Sequence, residues 1–205
     1  MSESIKHYLY NLIDAFGRTT PPINPEVLRK LHERKDYASM LGWIKNSMHI
    51  DLRVGMRIVE SVAPSAPMWI ETPKIMSPYG SSEFKRTRVV VNVRRDLLQT
   101  KPFEWVVSGF AHELSHVVLF SIGHKLQHEE KAVDLTAMIL GYQNFIASAE
   151  NTTTKGRLVS ILLALLFAPL GIVYWRGTTK HTERLGYLTS TEAKFAMQYL
   201  SRVTK

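Results

Sequence analysis

The sequence predicts an α+β fold that is mainly helical. Three observations carry this. Apolar residues recur at helical spacing in most segments, while one β-branched run alternates as a strand should. With 205 residues, 45% of them hydrophobic, the chain can build one core, which excludes a wholly disordered protein.

Residues 4–16 place Ile5, Tyr8, Leu9, Leu12, Ile13 and Phe16 on one helical face, and Gly17 with Pro21-Pro22 ends the helix. Residues 25–47 read as one or two helices, with Val27, Leu28 and Leu31 followed by Met40, Leu41, Trp43 and Ile44. The stretch 50–62 alternates only in part and is assigned to neither class. Pro64, Pro67, Pro73 and Pro78 break the next region into loops around a short strand at Met68-Trp69-Ile70.

Residues 86–93 read as a strand, with Thr87, Val89, Val91 and Val93 on one face and Arg86, Arg88, Val90 and Asn92 on the other. The polar row predicts an edge strand. Pro102 opens a long helix over about 103–121, as Pro favours helix starts. Gly123 is a turn signal. A second helix runs over about 126–147, and an amphipathic one over about Thr189–Val203.

Residues 158–175 are apolar apart from Ser160, flanked by Lys155 and Arg157 before and Arg176 and Lys180 after. As one helix they would extend about 27 Å, close to the hydrocarbon thickness of a bilayer. Tyr174-Trp175 suits a membrane interface, whereas Pro169 and Gly171 interrupt a clean span. Three readings stay open: a span, a buried core helix, or a hairpin lying on the membrane. The chain therefore divides into a domain over 1–150, an apolar segment over 151–180 and a C-terminal helix over 181–205 that packs back on the domain.

Cysteine is absent, which excludes disulfides, thiolate metal sites and a cysteine nucleophile. Any metal must be held by His and carboxylate. Twenty-six Lys and Arg against 18 Asp and Glu give a net charge of +8, which suits an anionic membrane surface or nucleic acid. The polar N-terminus lacks the apolar core of a secretory signal. The expected location is the cytoplasm, or the cytoplasmic side of a membrane, and not the secreted space.

The informative segment is Phe110-Ala111-His112-Glu113-Leu114-Ser115-His116, an HExxH pattern inside a predicted helix. Four residues advance a helix by about 400°, so His112 and His116 project from one face, one turn apart. Two imidazoles so placed can hold one tetrahedral ion, with Glu113 beside them as a base. The surrounding residues are apolar on nearly all sides, so the helix is predicted to be buried. Buried His and Glu need partners, and an ion would satisfy them together.

On the next predicted helix, Glu130 and Asp134 share a face. If the two helices form an antiparallel hairpin at Gly123, positions equally far from the turn lie level. His116 and Glu130 are each seven residues from Gly123; His112 and Asp134 are each eleven. Glu130 then falls where a third ligand belongs, and Asp134 where it can accept the other N–H of His112. His124 and His128 compete as third ligands, and Glu129 could replace Glu130.

The pattern His112-Glu113-Leu114-Ser115-His116 followed by Glu130-x-x-x-Asp134-x-x-Ala137 resembles the gluzincin zinc metallopeptidases. Within them it is most similar to the group containing HtpX and the CAAX prenyl endopeptidase. The resemblance covers about 105–140 and extends more weakly to the strand at 86–93, which matches the edge strand beside the active-site helix. It implies a zincin-like fold, zinc on His112, His116 and Glu130, Asp134 supporting His112, Glu113 as general base toward a metal-activated water, and peptide-bond hydrolysis. The gap from His116 to Glu130 is shorter than in the family.

A peptide or protein substrate would lie along strand 86–93. His181, Arg184 and Tyr187 are the candidate donors to the developing oxyanion. The alternatives are a basic nucleic-acid-associated protein, a DNA-associated protease with a His third ligand, and a membrane-anchored homologue without activity. The absence of an aromatic–basic stacking motif disfavours nucleic acid as a partner.

Overall fold

The structure, a computed structural model, describes residues 3–17, 19–60, 66–73, 75–149 and 186–203. It is α+β and mostly helical, with one three-stranded sheet. The apolar stretch 158–175 lies outside the described residues, as do His181 and Arg184. No helix among the described residues is long and apolar enough to cross a membrane.

Helix α1 (Glu3–Phe16) buries Ile5, Leu9 and Leu12, the stripe its periodicity predicts. Residues 25–47 form two helices, α2 (Glu26–Glu33) and α3 (Tyr37–Ser47). Asp36 starts the second by accepting the Ser39 N–H at 3.1 Å. The unassigned stretch 50–62 contains strand β1 (Arg53–Val59), whose residues are only half covered, so no clean alternation marks it. Strand β2 (Met68–Glu71), helix α4 (Ser82–Arg86), strand β3 (Arg88–Arg94) and helix α5 (Arg95–Thr100) follow.

The sheet order β1-β3-β2 corrects one expectation. The strand predicted at an edge is central: β3 pairs with β1 in parallel and with β2 antiparallel. Of its polar row, Arg88 stays exposed while Asn92 is buried, and Arg94 beyond it is buried too. The Asn92 amide donates to Glu71 Oε1 at 3.0 Å, and Arg94 Nε donates to Asp96 Oδ1 at 3.0 Å. The strand beside the HExxH helix is β2, at the opposite edge of the sheet from β1.

Helix α6 (Phe103–Ser121) is buried almost throughout. Gly123, at φ +60°, ends it. The His124 N–H reaches Leu119 O at 3.0 Å and the Gly123 N–H reaches Phe120 O at 3.1 Å, the two bonds of a Schellman cap. The next helix starts later than its pattern predicts, because 124–129 is a turn. Helix α7 (Glu130–Ala137) leads through a π-helical turn (Met138–Tyr142) into α8, residues 143–149. Helix α9 (Ser190–Val203) returns Ala193, Ala196 and Leu200 to the core.

The π-turn is stitched to the segment after α1. Thr20 N–H donates to Ile139 O at 2.8 Å and Ile23 N–H to Gly141 O at 2.9 Å. Gly141 has φ +101°, and a Cβ there would lie 2.8 Å from Pro21 O. Gly141→Ala is therefore expected to cost at least about 2 kcal/mol, from a left-handed φ and a backbone clash together. Urea unfolding checks this; a change below about 0.5 kcal/mol would contradict the close approach.

Candidate metal centre

Helix α6 brings His112 and His116 to one face, with ring centroids 5.0 Å apart and planes at 83°. Helix α7 brings Glu130 against both. Its Oε2 lies 3.3 Å from His112 Nε2 and 3.6 Å from His116 Nε2. One ligand atom from each residue falls within 4.8 Å of the others. Donors on a tetrahedral zinc with bonds near 2.05 Å are about 3.3 Å apart, which the two distances from Glu130 approach.

The proton inventory also fits. His112 Nδ1 lies 2.8 Å from Asp134 Oδ1. With Nδ1–H donating there, Nε2 turns a lone pair toward Glu130 Oε2. That oxygen is buried and, with His112 neutral, has no hydrogen-bond donor. Two acceptors facing each other need a cation or a proton between them. In the absence of an ion a proton serves. Burial opposes the His112 imidazolium, but hydrogen bonds to Asp134 and Glu130, with the charges of Asp134 and Glu113, raise its pKa to about 10.

His116 goes the other way. Burial, and then the charge of His112, lower it to about 4, so it is a free base at neutral pH. The Glu130 carboxyl is held below its usual range by its hydrogen bond to His112, against an opposing effect of burial. Burial raises Glu113 to about 7; His112 lowers it, Glu130 raises it, and the Ile70 backbone N–H lowers it.

These shifts predict how metal binding depends on pH. A zinc ligand must be a neutral imidazole, and His112 in the metal-free protein is protonated below about 10. Its proton must leave, so affinity falls as the pH falls. Calorimetry at pH 8 in buffers of different ionisation enthalpy should find at least about one proton released per zinc. Release of none would contradict the arrangement.

Strand β2 forms the opposite wall. Its ladder with β3 continues through the Arg94 N–H to Pro67 O bond of 3.1 Å. That phase turns the backbone groups of Trp69 and Glu71 toward β3 and leaves those of Met68 and Ile70 at the open edge. The Ile70 N–H faces Glu113. A cleft of about 310 Å³ lies between, lined by Ile70, Trp69, Phe120 and Tyr187 with the two His and two Glu. A larger cavity of about 590 Å³, beside Tyr37 and Arg95, holds no converging ligand set, so volume alone does not mark the site.

Of the residues read from sequence, His112, Glu113, His116, Glu130, Asp134 and Tyr187 come together. The competing third ligands do not join them. His124 Nδ1 accepts the Leu126 N–H at 3.1 Å, His128 packs edge-on against Phe120, and Glu129 accepts the Tyr8 hydroxyl at 3.2 Å. Tyr187 lies over His112, ring centroids 5.6 Å apart and 24° between planes.

Two features escaped the sequence reading. One is β2 as the cleft wall, for which the apolar Met68-Trp69-Ile70 run was the available signal. The other is the second oxygen of Asp134, which accepts the backbone N–H of Tyr187 at 2.7 Å and of Leu188 at 3.2 Å. Compared with known proteins, the chain matches no family model, no curated protein and no solved structure.

Proposed function

We propose that the chain is a zinc-dependent metallopeptidase with a zincin-like fold and a gluzincin-type ligand set. The observation that carries this reading is the convergence of His112, His116 and Glu130, with Glu113 beside them, in a cleft along an open strand edge. Zinc, when bound, supplies Lewis acidity toward water and toward the scissile carbonyl.

The remaining chemistry belongs to the chain. Asp134 holds His112 in the tautomer whose Nε2 is free to ligate. Glu113, with a pKa raised toward neutrality, takes a proton from the attacking water and delivers it to the leaving amide nitrogen. The substrate adds as a strand to β2, where Met68 and Ile70 offer backbone donors and acceptors. This places the docking edge on β2 and not on the internal strand 88–94. The Tyr187 hydroxyl is the donor we assign to the developing oxyanion.

The test is zinc content together with hydrolysis. The purified protein should carry about one equivalent of zinc and cleave an unfolded protein substrate such as casein. A chelator should abolish cleavage, and added zinc should restore it. Cleavage indifferent to chelation would contradict the reading, and zinc without any cleavage would favour a homologue that has lost activity.

A further inference from the structure

We infer that Asp134 couples ion binding to the seating of residues 186–203, making it a positioning residue for the cleft wall as well as for His112. The inference rests on the metal site proposed above.

The Asp134 side chain is fully buried. Its two oxygens serve different elements. Oδ1 faces His112 Nδ1 at 2.8 Å, while Oδ2 accepts the N–H groups of Tyr187 and Leu188. A carboxylate is rigid and planar, so fixing one oxygen on the imidazole fixes where the other points. If 186–188 withdrew, Oδ2 would be left buried and unpaired, which costs several-fold more than an ordinary hydrogen bond gains. If His112 swung away, Oδ1 would suffer the same.

The start of α9 adds a second tie one residue from the third ligand. Thr189 and Glu192 form a capping box: the Thr189 N–H donates to Glu192 Oε2 at 2.8 Å and the Glu192 N–H to Thr189 Oγ1 at 3.3 Å. The other Glu192 oxygen accepts Lys131 Nζ at 2.8 Å. Along α7, therefore, Glu130 faces the ion site, Lys131 holds α9, and Asp134 holds both. Leu188 is buried beside them, and Tyr187 lies over His112 as part of the cleft wall.

An ion that immobilises His112 holds Oδ1 in place, and with it Oδ2 on the two amides. Linkage makes the effect reciprocal: whatever loosens 186–192 weakens the ion. Tyr187 then reaches its place over His112 when the ligand set is ordered.

The experiment is amide hydrogen exchange of the full chain, zinc-free and zinc-loaded, read at Tyr187 and Leu188. Zinc affinity is measured beside it by competition with a chromophoric chelator. Zinc should slow exchange at both amides by at least about fivefold. Asp134→Asn should abolish that slowing, because one acceptor oxygen cannot serve His112 and the amides together.

Since Asp134 is buried, Glu192→Gln provides an independent variant. It keeps a capping-box acceptor and removes the ion pair, and should weaken zinc binding about two- to fivefold. Zinc bound at one equivalent with unchanged exchange at 187 and 188 overturns the coupling and leaves the metal site standing. Unchanged zinc affinity in Glu192→Gln also overturns it. Failure of the wild type to bind zinc overturns both readings.

Discussion

Glu113→Gln is expected to keep about one equivalent of zinc and to lower hydrolysis by about 10²–10⁴-fold. The substitution preserves shape, and the amide oxygen can still accept the Ile70 N–H that faces the carboxylate. It removes the only function a ligand does not share, which is taking a proton. The pH dependence follows from the same carboxyl. Burial places the Glu113 pKa at about 7 in the metal-free protein, and a cation beside it lowers that value. Below the pKa the base is protonated, so the wild-type rate should fall as the pH falls through that limb. The residual rate of the variant should not follow it. Steady-state kinetics on zinc-loaded protein decides this, and a variant within tenfold of wild type would remove Glu113 as the base.

His116→Ala is the second large effect. It should lose zinc altogether under dialysis that leaves the wild type loaded. The loss should exceed the roughly 10–100-fold weakening typical of a supporting residue, because a direct ligand is gone. The fold should survive: the His116 side chain is 18% exposed at the cleft and outside the apolar core, so water can fill the gap. Circular dichroism separates loss of metal from loss of fold. His124→Ala and His128→Ala, whose rings turn to other partners, should keep their zinc. Equal metal in wild type and His116→Ala would show that the ligand set is wrong.

Much of the centre was readable in the sequence because its geometry is local or symmetric. The four-residue spacing of His112 and His116 needs only a helix, and Pro102 and Gly123 bound that helix. Counting outward from Gly123 pairs His112 with Asp134, whose side chains lie 2.8 Å apart. The same count pairs His116 with Glu130, yet Glu130 sits between the two imidazoles and slightly closer to His112.

The misread parts depend on partners far along the chain. The polar row of β3 reads as solvent-facing, and Arg88 is exposed, but Asn92 is buried and finds Glu71 across the sheet, 21 positions away. The family resemblance puts strand 86–93 beside the HExxH helix, whereas β2 is the strand whose Ile70 N–H reaches Glu113. The Thr189–Glu192 capping box is visible as a local pattern, whereas its Lys131 partner is 61 positions away. Nor does any spacing rule show that the second oxygen of Asp134 reaches Tyr187 and Leu188.

The central claim is that His112, His116 and Glu130 together hold the ion. X-ray absorption at the zinc edge of the loaded wild-type protein tests it most directly. The account predicts two imidazole nitrogens near 2.0–2.1 Å and carboxylate oxygen at about the same distance. A shell of three imidazoles, or one without a protein carboxylate, would contradict it.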